Sequence, residues 1–138
     1  MWTVISVVAA ILFALFAWFQ LNDPDPAIWV TTYALTAAIS LAAGIWRLRP
    51  GLFVLWAAAC VVRGVALWVS WDGSSSPMGD PSQGIFAEEV VREAGGLAIC
   101  AGWMLVAAAQ SWWVKGRERA DEAAPADPDH RPPPPTDR

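Results

Sequence analysis

The segment MWTVISVVAAILFALFAWFQLN, residues 1–22, contains no charged side chain. A hydrocarbon core about 30 Å thick is crossed by roughly 20 apolar residues, each rising about 1.5 Å along a helix. Length and composition together make this segment a membrane span, and the chain repeats the pattern downstream. Residues 26–46 and 94–114 are also uncharged, and residues 52–71 are interrupted by one charge, Arg63. The spans are predicted at about residues 2–20, 28–46, 52–71 and 95–114. Strands in lipid would need a closed barrel, for which the chain is too short. The expected fold is therefore all-α: an integral membrane four-helix bundle over residues 1–114, followed by a disordered tail over residues 115–138.

The composition supports this assignment. Of 138 residues, 56% are hydrophobic and only 16% are charged, against about 25% charged in a typical soluble domain. Five of the nine basic and six of the thirteen acidic residues follow Val114. The net charge of −4 argues against a nucleic-acid partner. The first span lacks a basic leader, and the Phe19–Asp23 sequence offers no small-residue cleavage site. It is therefore read as a span and not as a signal peptide.

Orientation follows from the connections. Arg47 and Arg49 lie between spans two and three, and Lys115, Arg117 and Arg119 follow span four. The opposite side holds Asp23, Asp25, Asp72, Asp80, Glu88, Glu89 and Glu93, with Arg92 as its only base. The positive-inside rule then predicts a cell-membrane protein with both termini cytoplasmic. Tryptophans are expected at both interfaces: Trp2, Trp46, Trp112 and Trp113 on the inner side, and Trp18, Trp29, Trp68 and Trp71 on the outer side. Trp56 and Trp103 fall inside spans and are read as packing residues.

The connections differ in character. Residues 22–26, Asn-Asp-Pro-Asp-Pro, form a link short enough to require a tight hairpin. Residues 74–84 are rich in Ser, Gly and Pro and read as a mobile loop. Residues 85–93 read as a helix that can run into span four. The tail mixes charge, Ala and Pro and cannot bury apolar surface. His130 lies in it without a role. Cys60 and Cys100 are placed at different depths, so no disulfide between them is expected.

The polar residues near the outer ends fit helix chemistry. Asp25 before Pro26 suits an N-cap followed by N1, and Asn22 suits the end of span one. Glu88 and Glu89 suit a first helical turn, and Glu88–Arg92 is an i,i+4 pair. Trp29 and Tyr33 share a face and are expected to anchor the interface. Ala94, Ala98 and Gly102 form a small-residue stripe expected to let span four pack closely. Arg63 lies eight residues before Trp71, about 12 Å below the outer end. An unpaired Arg at that depth costs at least about 2.5–3.5 kcal/mol. It is expected either to face the bundle and meet an outer-side carboxylate, Glu93 being favoured, or to snorkel outward.

Two segments are more specific than composition. Residues 19–33, FQLNDPDPAIWVTTY, and residues 88–99, EEVVREAGGLAI, together resemble the transmembrane protein 220 family. The matching positions are Asn22, Asp23, Pro24, Asp25, Trp29 and Tyr33 in the first segment. In the second they are Glu88, Glu89, Arg92, Glu93, Gly96 and Leu97. The resemblance covers most of residues 1–114 and implies an integral membrane protein. It implies no particular activity.

The candidate polar cluster is Asn22, Asp23, Asp25, Trp29, Tyr33, Arg63, Glu89, Arg92 and Glu93. One reading is structural: the cluster caps the hairpin and staples Arg63 in a partner-binding membrane module. The other is binding or transport of an ion or small polar solute. Arg63 would repel a cation, and no acid lies deep in a span. Catalysis is not expected, because the spans hold no His and no nucleophile beside a base. No metal-ligand spacing or cofactor motif is present. The expected partners are the bilayer and either a second copy or another membrane protein.

Overall fold

The computed structural model describes residues 1–23, 26–70 and 89–123. The expected loop at 74–84, Asp25, Glu88, Trp71 and residues 124–138 lie outside the described residues. Helix α1 spans Trp2–Phe19 and continues into a 3-10 turn, Gln20–Asn22. Helix α2 spans Pro26–Ile45, α3 spans Pro50–Ser70 and α4 spans Glu89–Ala123. All four are long and apolar enough to cross a membrane.

Proline sets several of the helix boundaries. Asp23 has extended backbone angles, φ −72° and ψ 150°, as expected of a residue before proline. Pro26 and Pro50 each open a helix, where a missing N–H costs nothing. Between α2 and α3 the chain turns within residues 46–49. The Trp46 amide donates to the Ala42 carbonyl at 2.7 Å, and the Leu52 amide donates to Arg49 at 3.0 Å.

The helices pair as two antiparallel hairpins, α1 with α2 and α3 with α4, closed along a narrower seam between α2 and α4. Gly44 permits the close α1–α2 approach: a Cβ there would stand 3.0 Å from Ser6 Cβ and 3.3 Å from the Thr3 carbonyl. At the other end of this hairpin, Phe16 meets Tyr33 edge-on with centroids 5.8 Å apart. Across the seam, Trp2 of α1 stacks on Trp103 of α4 at 5.8 Å and 13°.

The interior combines small residues and four Ser and Thr side chains with a few large ones such as Phe53, Leu97 and Met104, and many large aliphatic side chains point outward. α1 buries Ser6, Ala9, Ala10, Phe13 and Ala17, whereas Val8, Ile11 and Leu12 are exposed. α2 buries Trp29, Thr32, Tyr33, Thr36 and Ser40. Lipid is as apolar as leucine, so helices in it associate through close packing and hydrogen bonds, not through expulsion of oily side chains.

Four expectations from sequence are corrected here. α4 has 35 residues, about 52 Å at 1.5 Å per residue, and residues 115–123, assigned to the disordered tail, continue it. Lys, Arg, Glu and Ala are good helix formers, and a helix already nucleated extends at little cost. Residues 89–93 run into the same helix, as their sequence led one to expect. The Ala94–Gly102 stripe does not pack inward: Ala98 and Gly102 are exposed. The buried face of α4 carries Leu97, Ala101, Met104 and Ala108, about 100° around the helix.

The other two corrections concern depth and burial. Cys60 and Cys100 are neighbours across α3–α4, both buried and both free. The packing register of α4 against α3 sets them level. Trp29 is 2% exposed, so it and Tyr33 line the core and do not anchor an interface. Trp18, Trp46, Trp68, Trp112 and Trp113 are exposed, as interfacial residues should be.

Candidate functional site

The inward face of α2 organises both the core and the predicted cluster. Thr32, Thr36 and Ser40 recur every four residues on that face and are buried. Each hydroxyl donates back one turn: Thr32 to Ile28 at 2.9 Å, Thr36 to Thr32 at 2.8 Å and Ser40 to Thr36 at 2.6 Å. The lone pairs left on two of these oxygens take indole donors from other helices. Trp56 Nε1 donates to Thr36 Oγ1 at 2.9 Å, and Trp103 Nε1 donates to Ser40 Oγ at 2.8 Å. Thr36 and Ser40 thus each satisfy an indole N–H that lipid could not. The roles of Thr36 and Ser40 were not read from the sequence, although the four-residue spacing was there to see. Ser40→Ala is expected to cost about 0.6–1.7 kcal/mol by stranding the Trp103 donor. Thermal unfolding in detergent measures it, and a Ser40→Thr variant that unfolds like Ser40→Ala would remove the bond from the account.

The predicted cluster gathers one to two turns away, at the end of the bundle nearest Trp29. Tyr33, buried on α2, lies within hydrogen-bonding reach of Gln20 and close enough to Asp23 and Glu93 to feel both charges. The 3-10 turn supplies Gln20, the extended residue after it supplies Asp23, and the first turns of α4 supply Glu93. Gly96 faces the same hydroxyl, and a Cβ there would overlap it. The ring of Tyr33 is held from α1 by Phe16.

Arg63 of α3 approaches from the side. Its guanidinium carbon lies 5.4 Å from the Trp29 ring centroid. Its Nε is buried and has no hydrogen-bond partner among the described residues. A cation over a desolvated indole face gains about 2 kcal/mol. The sequence reading gave Arg63 a carboxylate and did not foresee the indole.

Asp23, Trp29, Tyr33, Arg63 and Glu93 therefore come together. Asn22 and Arg92 are exposed and point away from that group. Glu89 is the first residue of α4. Gln20 and Gly96 join the site, although only Gly96 had been singled out. Among the described residues, no group of three His, Cys, Asp or Glu side chains could hold a metal ion.

Comparison with known proteins agrees with this anatomy. The family described as "Transmembrane family 220, helix" matches residues 12–109. These include both signature segments and every residue of the gathered cluster. Transmembrane protein 220 of Xenopus laevis is 30% identical over 115 residues, covering 77% of this chain and 58% of that relative. The chain thus spans less than two thirds of that relative's length. No solved structure matches it. On the family match, and on the relative that agrees with it, this chain belongs to transmembrane family 220.

Proposed function

We propose that the protein is a non-enzymatic membrane module, held rigid from within by polar bonds between helices and serving to bind a protein partner in the plane of the bilayer. The observation that supports this is the α2 ladder. Thr36 and Ser40 each accept an indole donor from a different helix, which ties α3 and α4 to α2. The partner-facing surface in this reading is the exposed Ala98–Gly102 face of α4. Nothing lies within 4 Å of a Cβ placed at Gly102, so a second helix can approach closely. Arg47, Arg49, Lys115, Arg117 and Arg119 gather at the end opposite Trp29. That bias supports a cytoplasmic location for both termini in the cell membrane.

A second reading is favoured by one specific observation. Asp23, Glu93 and Gln20 converge on Tyr33, one turn along α2 from the Trp29 ring that Arg63 covers, a set able to hold a small polar solute or a proton. Two experiments separate the readings. A photo-crosslinking residue at position 102 in native membranes is expected to capture a neighbouring chain, and recovery of none counts against the partner reading. Melting in detergent across cations, pH values and small polar solutes tests the other. A solute at a hundred times its dissociation constant adds about 2.7 kcal/mol to the native state. A shift seen with the native chain and lost in Asp23→Asn would make the cluster a binding site. Loss of stability alone leaves it a structural cap.

A further inference from the structure

We infer that the end of the bundle opposite Trp29 carries a binding site for one anionic phospholipid. A cavity of about 230 Å³ opens there between the start of α1, the α2–α3 turn and the last turns of α4. Arg47 and Lys115 line it together with the hydroxyl of Ser111 and the amide of Gln110. This is the donor set that a phosphodiester requires: two cations and two neutral polar groups at one level. Trp2 and Trp46 also line it, and indoles settle at headgroup depth.

A second cavity carries the argument from an anion to a lipid. It is about 420 Å³, shares Trp2 and Gln110 with the first, and is otherwise walled by Val106, Ala109 and Trp113. Val106 lies nine residues before Lys115 on α4, about 13 Å deeper into the membrane. A polar cavity at the surface and a shallow, open apolar groove running inward from it match a headgroup and an acyl chain lying along the helix. A soluble phosphate would have no use for the groove. Basic pockets between membrane helices hold anionic headgroups for this reason.

The remaining charge at the mouth is Glu118, which pairs with Arg47. The Arg47 side chain is 81% exposed and that of Glu118 41%. A pair this exposed is weak, so a phosphate can take its place. Glu118 is then a competitor for Arg47 and the two should respond oppositely to mutation. The site also depends on the helical extension past residue 114, since that extension sets Lys115 and Glu118 against the α2–α3 turn. Arg117 lies over the Trp113 ring at 4.3 Å and fixes the same turn.

The test uses the full chain reconstituted in mixed phosphatidylcholine and phosphatidylglycerol nanodiscs. After transfer to mild detergent, retained lipid is counted by native mass spectrometry. Phosphatidylglycerol is expected to be retained in excess of its share of the bilayer. Arg47→Gln with Lys115→Gln should lower that enrichment roughly tenfold or more, given about fivefold per basic residue near an anionic surface. Arg47→Lys with Lys115→Arg should keep it, which separates charge from folding. Glu118→Gln should raise it, and Ala109→Trp should lower retention with both cations intact. The inference is overturned if the native chain shows no enrichment, or if the double glutamine variant keeps it. Displacement of the lipid by inorganic phosphate would also overturn it, in favour of a soluble-anion site.

Discussion

Trp29→Ala is expected to destabilise the protein by about 3 kcal/mol, the lower end of the range for truncating a buried aromatic. The lower end applies because lipid, not water, surrounds the unassembled helices, so the cavity and the lost contacts dominate. Trp29 is 2% exposed and sits where α2 meets Arg63. Truncation therefore opens a void and strips the guanidinium of its indole face. The second loss is separable. In an Arg63→Leu background the same truncation should cost about 1–2 kcal/mol less, the size of a desolvated cation–π pair. Trp29→Phe keeps a ring under Arg63 and should retain most of the stability. Reversible unfolding in mixed micelles measures all four states. Additive effects of Trp29→Ala and Arg63→Leu would remove the pairing. Crossing Arg63→Leu with Glu93→Gln tests the carboxylate that the sequence proposes for Arg63, since a coupled pair must again be non-additive.

Gly96→Ala should cost about 1–3 kcal/mol, the usual penalty for overfilling a packed site. A Cβ at Gly96 overlaps the Tyr33 hydroxyl and lies 3.2 Å from its Cζ. Tyr33 cannot step aside freely, being 6% exposed and held against Phe16. Helix propensity works the other way, since Ala is favoured over Gly by up to about 1 kcal/mol, so a net loss identifies the clash. Gly102→Ala supplies the control: it has the same propensity gain, with nothing within 4 Å of the new atom. It should be neutral or slightly stabilising. Tyr33→Phe removes the overlapping oxygen, so Gly96→Ala should cost at least about 1 kcal/mol less in that background. Equal cost in both backgrounds would place the strain elsewhere.

The first expectation lies between α2 and α3, the second between α2 and the start of α4, where the family signature segments meet. Asp23 and Tyr33 come from the first segment, Glu93 and Gly96 from the second. Seventy residues separate Asp23 from Glu93. The signature thus specifies a junction between the two hairpins. Stability and any solute binding at this end depend on the same side chains. For that reason the Asp23→Asn experiment needs both a ligand series and a melting curve.

Sequence alone identified four helices in the right order, because an uncharged run of about 20 residues has few alternatives in a bilayer. It located the proline-set boundary at Pro26, and it sorted the basic residues to the end holding Trp2. It also singled out Asp23, Arg63 and Glu93. Which face of each helix turns inward was not legible. In water, apolar periodicity marks the buried face. In lipid, leucine is at home on either face, and the choice passes to small size and hydrogen bonding. The inward Thr36 and Ser40 follow from that, whereas the outward Ala98 and Gly102 and the buried Trp29 were set by how the four helices pack. Register was the second thing only tertiary structure decided. Hydropathy does not mark where a helix stops once it leaves the hydrocarbon, so the extension of α4 from Lys115 to Ala123 was not legible. The packing of α4 sets Cys100 level with Cys60, Gly96 against Tyr33, and Lys115 in the cavity beside Arg47.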